Sequence, residues 1–298
     1  PWLITTHELN SENKRLQESM TSLGNEYMGM RGMFEETYSG DTHQGIYIGG
    51  VWFPDKTRVG WWKNGYPEYF GKAINALNFV KADIYIDDQK IDLARNPFSD
   101  FELSLDMKTG VLNRTFTVFG VQVKITRLVS AAMKELMVSH YEFMSLDGVA
   151  HRVRFDATID ADVTNEDANY DEQFWQVLAA GHEQQTAFMA TQTMPNPFKV
   201  PQFTVVARQS FQGGTQQAAH ETEKAVTDTF NIEVPAKGQA SFEKRVIVTT
   251  SRDYDDLTAT IAASQHLTET IQSTTYQELY QAHQDEWAQR WAKADIQS

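Results

Sequence analysis

The chain has 298 residues, 41% hydrophobic and 22% charged, which suits one large or two ordinary folded domains and excludes a disordered chain. Lys and Arg number 26 against 40 Asp and Glu, a net charge of −14, with no basic block to serve as a nucleic-acid face. No apolar run reaches the roughly 18 residues of a membrane span, and with no cysteine the chain has no disulfide, thiolate metal ligand or cysteine nucleophile.

The sequence opens at Pro1 with no charged-then-apolar leader in view. Together with the missing cysteine this reads as a protein of a reducing compartment, the cytoplasm. From about residue 2 to residue 250 the hydrophobic period is close to two. Ile84 and Ile86 face Ile91 and Leu93 across Asp87-Asp88-Gln89, a hairpin pattern. Phe101, Leu103 and Leu105 alternate with Glu102, Ser104 and Asp106 before a turn at Thr109-Gly110. Leu112 to Val118 runs up to Gly120 and returns through Val121, Val123 and Ile125. Further strands are predicted over 153–159, 203–207, 230–234 and 242–249. Because apolar and polar residues exchange at nearly every step, each sheet is expected to bury one face and wet the other. The expected fold is mainly β: a large antiparallel two-sheet β-sandwich (a super-sandwich) over residues 1–252.

Residues 253–298 change character and predict C-terminal linker helices. A short helix is expected over 253–272, begun by Asp255-Asp256. Thr275 and Glu278 then have the S/T-x-x-E spacing of a capping box. Tyr276, Leu279, Tyr280, His283, Trp287 and Trp291 follow at helical spacing. An aromatic stripe there has two uses: docking back on the sandwich, or meeting a further domain. The second is the expectation.

Four clusters are candidates for chemistry. Gly24 and Gly29 have phosphate-loop spacing, but Met30 and Arg31 stand where that loop needs Lys and Ser or Thr, so they read as turn glycines. Glu35-Glu36 has the residue types of an acid–base pair. Neighbours on a strand point to opposite faces, so solvation or a structural salt bridge is expected instead. Trp52, Phe53, Trp61, Trp62, Tyr66, Tyr69 and Phe70 gather within nineteen residues, among the loop formers Pro54, Gly60, Asn64, Gly65 and Pro67. Such rings stack on sugar C–H bonds while Lys56, Arg58, Lys63 and Asn64 bond hydroxyls; the same rings can also plug the sandwich or pack on a neighbouring domain. On the sugar reading the substrate-rim candidates are Trp61, Trp62, Lys63, Asn64 and Tyr66. Asp160, Asp162, Asn165, Glu166, Asp167, Asn169, Asp171 and Glu172 alternate like a calcium loop but depart from it, with Asp171 in place of the bidentate glutamate, and read as a solvated acidic loop. The eight histidines show no zinc spacing, so no metal is expected.

Several of these stretches resemble a known family. Ser22-Leu23-Gly24-Asn25, Tyr27-Met28-Gly29-Met30-Arg31-Gly32 and Phe34-Glu35-Glu36 are similar to the opening of the maltose phosphorylases of glycoside hydrolase family 65. The likeness continues through Gln44-Gly45-Ile46-Tyr47 and from Gly50 to Pro67, then at Asp160-Ala161-Asp162-Val163 and Lys244-Arg245-Val246-Ile247-Val248. It departs at Glu26 and Thr37, where glycine is expected, and at Thr42-His43, where Ser-Leu is usual.

The resemblance implies an N-terminal sandwich joined by helices to an (α/α)6 catalytic barrel, in a homodimeric enzyme. It implies an inverting reaction, maltose and phosphate giving β-glucose 1-phosphate and glucose, without metal or organic cofactor. The catalytic glutamate and phosphate loop of that family belong to the barrel; no carboxylate here matches them, so no catalytic residue is assigned. The implied partners are the chain's own C-terminal barrel and maltose or a related disaccharide. The alternative is a free-standing carbohydrate-binding module using Trp61, Trp62 and Tyr66.

Overall fold

The computed structural model describes residues 2–57, 64–166 and 172–294. The first third of the chain supplies short elements: β1 (Leu3–Thr6), α1 (Lys14–Met20), β2 (Leu23–Gly24), β3 (Met28–Met30), β4 (Ile46–Ile48), β5 (Trp52–Lys56), β6 (Tyr69–Ala73), β7 (Ala82–Ile86) and β8 (Gln89–Lys90). Long strands follow: β9 (Ser99–Asp106), β10 (Val111–Val118), β11 (Val121–Val129), β12 (Leu136–Ser145), β13 (His151–Asp160), β14 (Trp175–Glu183) and β15 (Thr186–Thr193). The remainder is β16 (Thr204–Gln212), β17 (Thr215–Glu221), β18 (Ala225–Val234), β19 (Gln239–Thr250), α2 (Leu257–Ile271) and α3 (Tyr276–Ala294).

Turn chemistry sets the registers. Residues Phe119-Gly120 join β10 to β11 at φ 52° and 77°, so Val118 pairs with Val121. Asp87-Asp88 and Gln184-Gln185 make the same left-handed two-residue turn, whose twist matches the strands it joins. The first of these hairpins is one residue tighter than the sequence suggests: Gln89 pairs with Ile86 instead of lying in the turn.

The strands assemble into a nine-stranded antiparallel sheet, ordered β1-β9-β10-β11-β12-β19-β16-β15-β14, and a five-stranded sheet, ordered β17-β18-β13-β7-β8. Their facing sides form the expected sandwich. Alternate residues Val153, Phe155, Ala157 and Ile159 of β13 meet Tyr141 of β12 and Phe242 of β19, with Phe155 4.7 Å from Tyr141 and 4.6 Å from Phe242 between ring centres. Two small sheets, β2-β3-β4 and β5-β6, lie outside this pair.

The expected wetted face is a correction. Helices α2 and α3 cover the centre of the nine-stranded sheet, because β19 carries an unbroken Val246-Ile247-Val248 run that presents apolar groups on both sides. Ile271 and Leu279 pack on Val111, Leu128, Leu136, Val138 and Ile247, while Leu257 and Ile261 pack on Phe188, Ala190 and Val206. Arg245 is buried here and donates to the carbonyls of Ile271 (2.6 Å) and Thr274 (2.7 Å), placing a cation on the negative end of α2. A second correction concerns residues 14–20, where period two predicts no helix; α1 forms there with Lys14 and Glu18 buried as an i,i+4 pair.

The two terminal helices start where the sequence says. The Asp256 carboxylate accepts from the Ala259 N–H at 2.7 Å, and Thr275 and Glu278 exchange the two bonds of the capping box. The aromatic stripe of α3 docks on the sandwich. Tyr276 stacks on His140 at 4.0 Å, Trp287 lies over Gly110, and Trp291 meets Trp2 edge-on at 4.7 Å, both tryptophans staying half-buried. Gly110 has φ 63° and no room for a Cβ beneath the Trp287 ring, so glycine is required on both counts.

His283 fixes this docking. Its ring is fully buried; Nδ1 accepts from the Ala131 N–H at 3.0 Å and Nε2 donates to the Gly110 carbonyl at 3.1 Å. Only the neutral imidazole makes both bonds. Burial, reinforced by nearby Arg290, lowers its pKa below the ordinary value despite the carbonyl partner. The unfolded state therefore takes up the proton first as pH falls, and stability is lost below the unfolded histidine value. We predict that His283→Gln lowers unfolding stability by about 1–2 kcal/mol at pH 7.5. The variant should also lose a pH-dependent component of no more than about 1.4 kcal/mol per unit. Denaturant titrations of both proteins at pH 7.5 and 5.5 check this, through the difference between their pH slopes.

Candidate functional site

The described part of the aromatic cluster is carried by a two-stranded hairpin. Strands β5 and β6 pair from Trp52–Ala73 to Lys56–Tyr69, and beyond them the Thr57 N–H donates to the Glu68 carbonyl at 2.9 Å. Lys72 and Asp55 form an ion pair across the strands at 2.9 Å. The rings at the root pack inward: Trp52 stacks on Tyr69 at 6.4 Å and meets Phe203 at 6.3 Å, Phe53 meets Phe174 at 5.0 Å, and Tyr69 meets Phe198 at 4.5 Å. These partners lie on segments far along the chain, so the root of the hairpin is bound to the sandwich by ring packing. Gly71, opposite Pro54, leaves space for the Trp52 ring.

The entry to the hairpin is tied as firmly. Gly50 has φ 74°, and the Arg252 guanidinium occupies the place of its missing Cβ while donating to the Gly49 carbonyl at 2.7 Å. Arg252 lies between β19 and α2, so this bond links the hairpin entry to the helical segment. Of the substrate-rim candidates, Trp61, Trp62 and Lys63 fall outside the described residues. Asn64 and Tyr66 are described and exposed, Tyr66 at 54%, with Phe70 at 43% on the same hairpin. The structure thus divides the cluster: Trp52, Phe53 and Tyr69 are packing groups, whereas Tyr66 and Phe70 face solvent.

Glu35 and Glu36 are not strand neighbours on opposite faces. They lie in a bend, and both carboxylates turn to one buried guanidinium, Arg114 of β10. Arg114 donates to Glu36 through both terminal nitrogens, at 2.5 and 2.6 Å, and to Glu35 at 2.8 Å. Arg127 of β11 stands 3.6 Å from the other Glu35 oxygen. Burial pushes the Glu35 pKa up, but Arg127 and Arg114 outweigh it and hold the carboxyl below its usual value. Buried and turned to guanidinium groups, these two carboxylates are closed to a substrate, so their use is structural. Of the two uses expected, the salt bridge is the one found.

Lys244 is the other perturbed group of note. It lies between the sheets, donating to the carbonyls of Lys81 (2.9 Å) and Thr158 (3.0 Å), and burial pushes its pKa down to about 7. An amine poised near neutrality is a catalytic type, but this one is fully enclosed in the sandwich core.

The acidic loop stitches segments together. Asp160 pairs with Lys81 at 2.9 Å and Asp162 with Lys224 at 3.1 Å. The Asn165 side chain bridges Ala73 and Asn75, and Glu166 accepts from the Gln44 N–H. Asp167, Asn169 and Asp171 lie outside the described residues. Among the described residues, no three His, Asp or Glu side chains converge as around a metal ion.

At the first glycine cluster, Glu26 takes φ 73° in the turn between β2 and β3. That conformation accounts for the glycine expected there, and Asn25 holds the turn by accepting from the Tyr27 and Met28 N–H groups.

Residues 4–290 match the family described as Glycosyl hydrolase family 65, N-terminal domain. The maltose phosphorylase of Bacillus subtilis (strain 168) is 47% identical over 300 residues, covering 99% of this chain and 39% of that protein. The kojibiose phosphorylase of Thermoanaerobacter brockii is 30% identical over 127 residues, covering 43% of this chain and 15% of that protein. A solved structure described as "Putative kojibiose phosphorylase from human microbiome" superposes with a TM-score of 0.86 at 19% identity, over 97% of this chain and 38% of that one, a likeness of fold. The chain thus spans about two fifths of the length of the Bacillus relative.

The ring contacts make Trp52 the keystone of the hairpin root. We predict that Trp52→Ala costs about 2 kcal/mol, less than a fully buried tryptophan would, because the ring is only partly buried. Amide hydrogen exchange is the check. Thr57 and the β5–β6 pairs should exchange faster, with β11 and β12 unchanged.

Proposed function

The chain belongs to glycosyl hydrolase family 65 as its N-terminal domain, and we propose that it is the sandwich of an inverting maltose phosphorylase. The near end-to-end likeness to the Bacillus enzyme carries this reading. The reaction proposed for the whole enzyme is phosphate attack on the anomeric carbon of maltose, releasing β-glucose 1-phosphate and glucose. Inversion needs a general acid on the leaving oxygen and the nucleophile on the opposite face of the ring. Glu35 and Glu36, locked on Arg114, cannot supply that acid, and the catalytic acid and phosphate loop are assigned to a downstream barrel.

In this reading residues 253–298 are the link toward the barrel, the exposed parts of Trp287 and Trp291 being left for it. The segment between β5 and β6, with Trp61, Trp62, Lys63, Asn64 and Tyr66, is proposed to form part of the rim over the disaccharide. The whole enzyme is proposed to act as a cytoplasmic homodimer. The docking of α3 on the sandwich favours one other reading, a free-standing carbohydrate-binding module, since it satisfies much of the stripe within this chain.

Two assays separate them. The 298-residue chain should release no glucose from maltose and phosphate, whereas the chain extended through a downstream barrel should. In that longer protein Tyr66→Ala should lower kcat/KM for maltose about fivefold, the worth of one stacking ring. Turnover by the 298-residue chain would overturn the proposal. Unchanged kinetics for Tyr66→Ala would remove Tyr66 from the rim.

A further inference from the structure

Helix α2 is seated on the nine-stranded sheet through two apolar patches. Leu257 and Ile261 pack on Phe188, Ala190 and Val206, and Leu267 and Ile271 on the cluster around Ile247. Beside the second patch its polar side leaves a cavity of about 220 Å³ against β16 and the β14–β15 turn. Five glutamines (Gln184, Gln185, Gln212, Gln265 and Gln272) line it beside Arg208, Glu269, three hydroxyl side chains and Phe211. From this lining we infer a binding site for one hexose unit of a neutral saccharide, separate from the β5–β6 hairpin.

The floor is rigid. Arg208 is fully buried; its Nε donates to Ser264 Oγ at 3.0 Å and one terminal nitrogen to Thr186 Oγ1 at 2.9 Å. Its one carboxylate partner, Glu183, is 3.5 Å away and half-exposed. Burial lowers the guanidinium pKa, with Glu183 and Glu269 offsetting only part of that effect. The wall is ordered too, since Gln265 Nε2 donates to Gln184 Oε1 at 2.9 Å and to Glu269 Oε1 at 3.1 Å. Gln184 and Gln185 hold left-handed φ values of 49° and 63°, where Gly or Asn is the ordinary choice. Long amide side chains are thus kept at the cavity mouth at a conformational cost.

Charge and chemistry choose the ligand. Among the lining residues Glu269 balances Arg208, whose guanidinium is already turned to Ser264, Thr186 and Glu183, so no free cation is offered to phosphate or another anion. With Gln265 Nε2 committed to Gln184 and Glu269 and the Arg208 nitrogens turned inward, what remains for a ligand includes the Gln265 amide oxygen, the Gln184 and Gln185 amide N–H groups and the second Glu269 oxygen. That mixture matches hydroxyl groups, which donate and accept together, and the volume admits a single ring. The site uses none of the hairpin residues and stands whether or not the hairpin meets substrate.

The test is calorimetric titration of the 298-residue chain with D-glucose, maltoheptaose and orthophosphate. Saturable binding of either sugar is expected, weakened at least about fivefold by Glu269→Ala and by Gln265→Ala with Tm unchanged. Orthophosphate should not compete, and Tyr66→Ala should bind as the parent does. Tighter binding of maltoheptaose assigns the site to a glucan end; equal binding assigns it to any terminal or free hexose. The inference is overturned by no saturable binding of either sugar, by binding that both pocket substitutions leave intact, by competition from orthophosphate, or by loss of binding in Tyr66→Ala.

Discussion

One buried guanidinium organises the part of this domain that strand pairing does not. Residues 31–45 contain no strand or helix, yet they close the sandwich beside β10 and β11. Arg114 converts that irregular segment into fixed structure by taking both carboxylates of Glu35 and Glu36, with the Phe34 ring 3.8 Å under its guanidinium. With Arg127 beside Glu35 the two carboxylates face two buried guanidinium groups, so the charges balance; an uncompensated member would cost more than the group contributes.

Further contacts extend from this anchor. The segment continues into β4, whose turn at Gly49-Gly50 is held by Arg252 and leads directly into the aromatic hairpin. On the other side Asn25 donates to the carbonyls of Ser130 and Lys134, the same loop whose Ala131 N–H meets His283. The hairpin, the β12 entry loop and helix α3 therefore share one end of the nine-stranded sheet. They are fixed there by arginine–carbonyl and histidine–backbone bonds together with the ring packing at the hairpin root and the apolar seat of α3.

The sandwich was legible in the sequence because its physics is local. Alternation at 101–105 and 153–159, turn glycines, and the capping box at Thr275 each report on residues a few places away. What the sequence concealed is non-local. Arg114 sits 78 positions from Glu36, and nothing near Glu35-Glu36 distinguishes a buried ion pair from a solvated one. Helix α1 was hidden because its seven residues bury a lysine and a glutamate, the reverse of the usual pattern. The aromatic cluster was legible as a cluster but not in its division of labour, since Phe174, Phe198 and Phe203 lie more than a hundred residues beyond the rings they hold. The double burial of β19 was foreshadowed only by Val246-Ile247-Val248, a run that breaks the alternation.

The central claim is that Arg114 and its two glutamates hold the irregular segment in place as a unit. Equilibrium unfolding of Arg114→Met, Glu35→Gln/Glu36→Gln and the triple variant tests it most directly. The account predicts a loss of about 3–5 kcal/mol for Arg114→Met, where Glu36 loses its guanidinium partner and Glu35 keeps only Arg127, and a triple variant more stable than Arg114→Met. A loss below about 1 kcal/mol for Arg114→Met, or simple additivity of the two sets of substitutions, would contradict it.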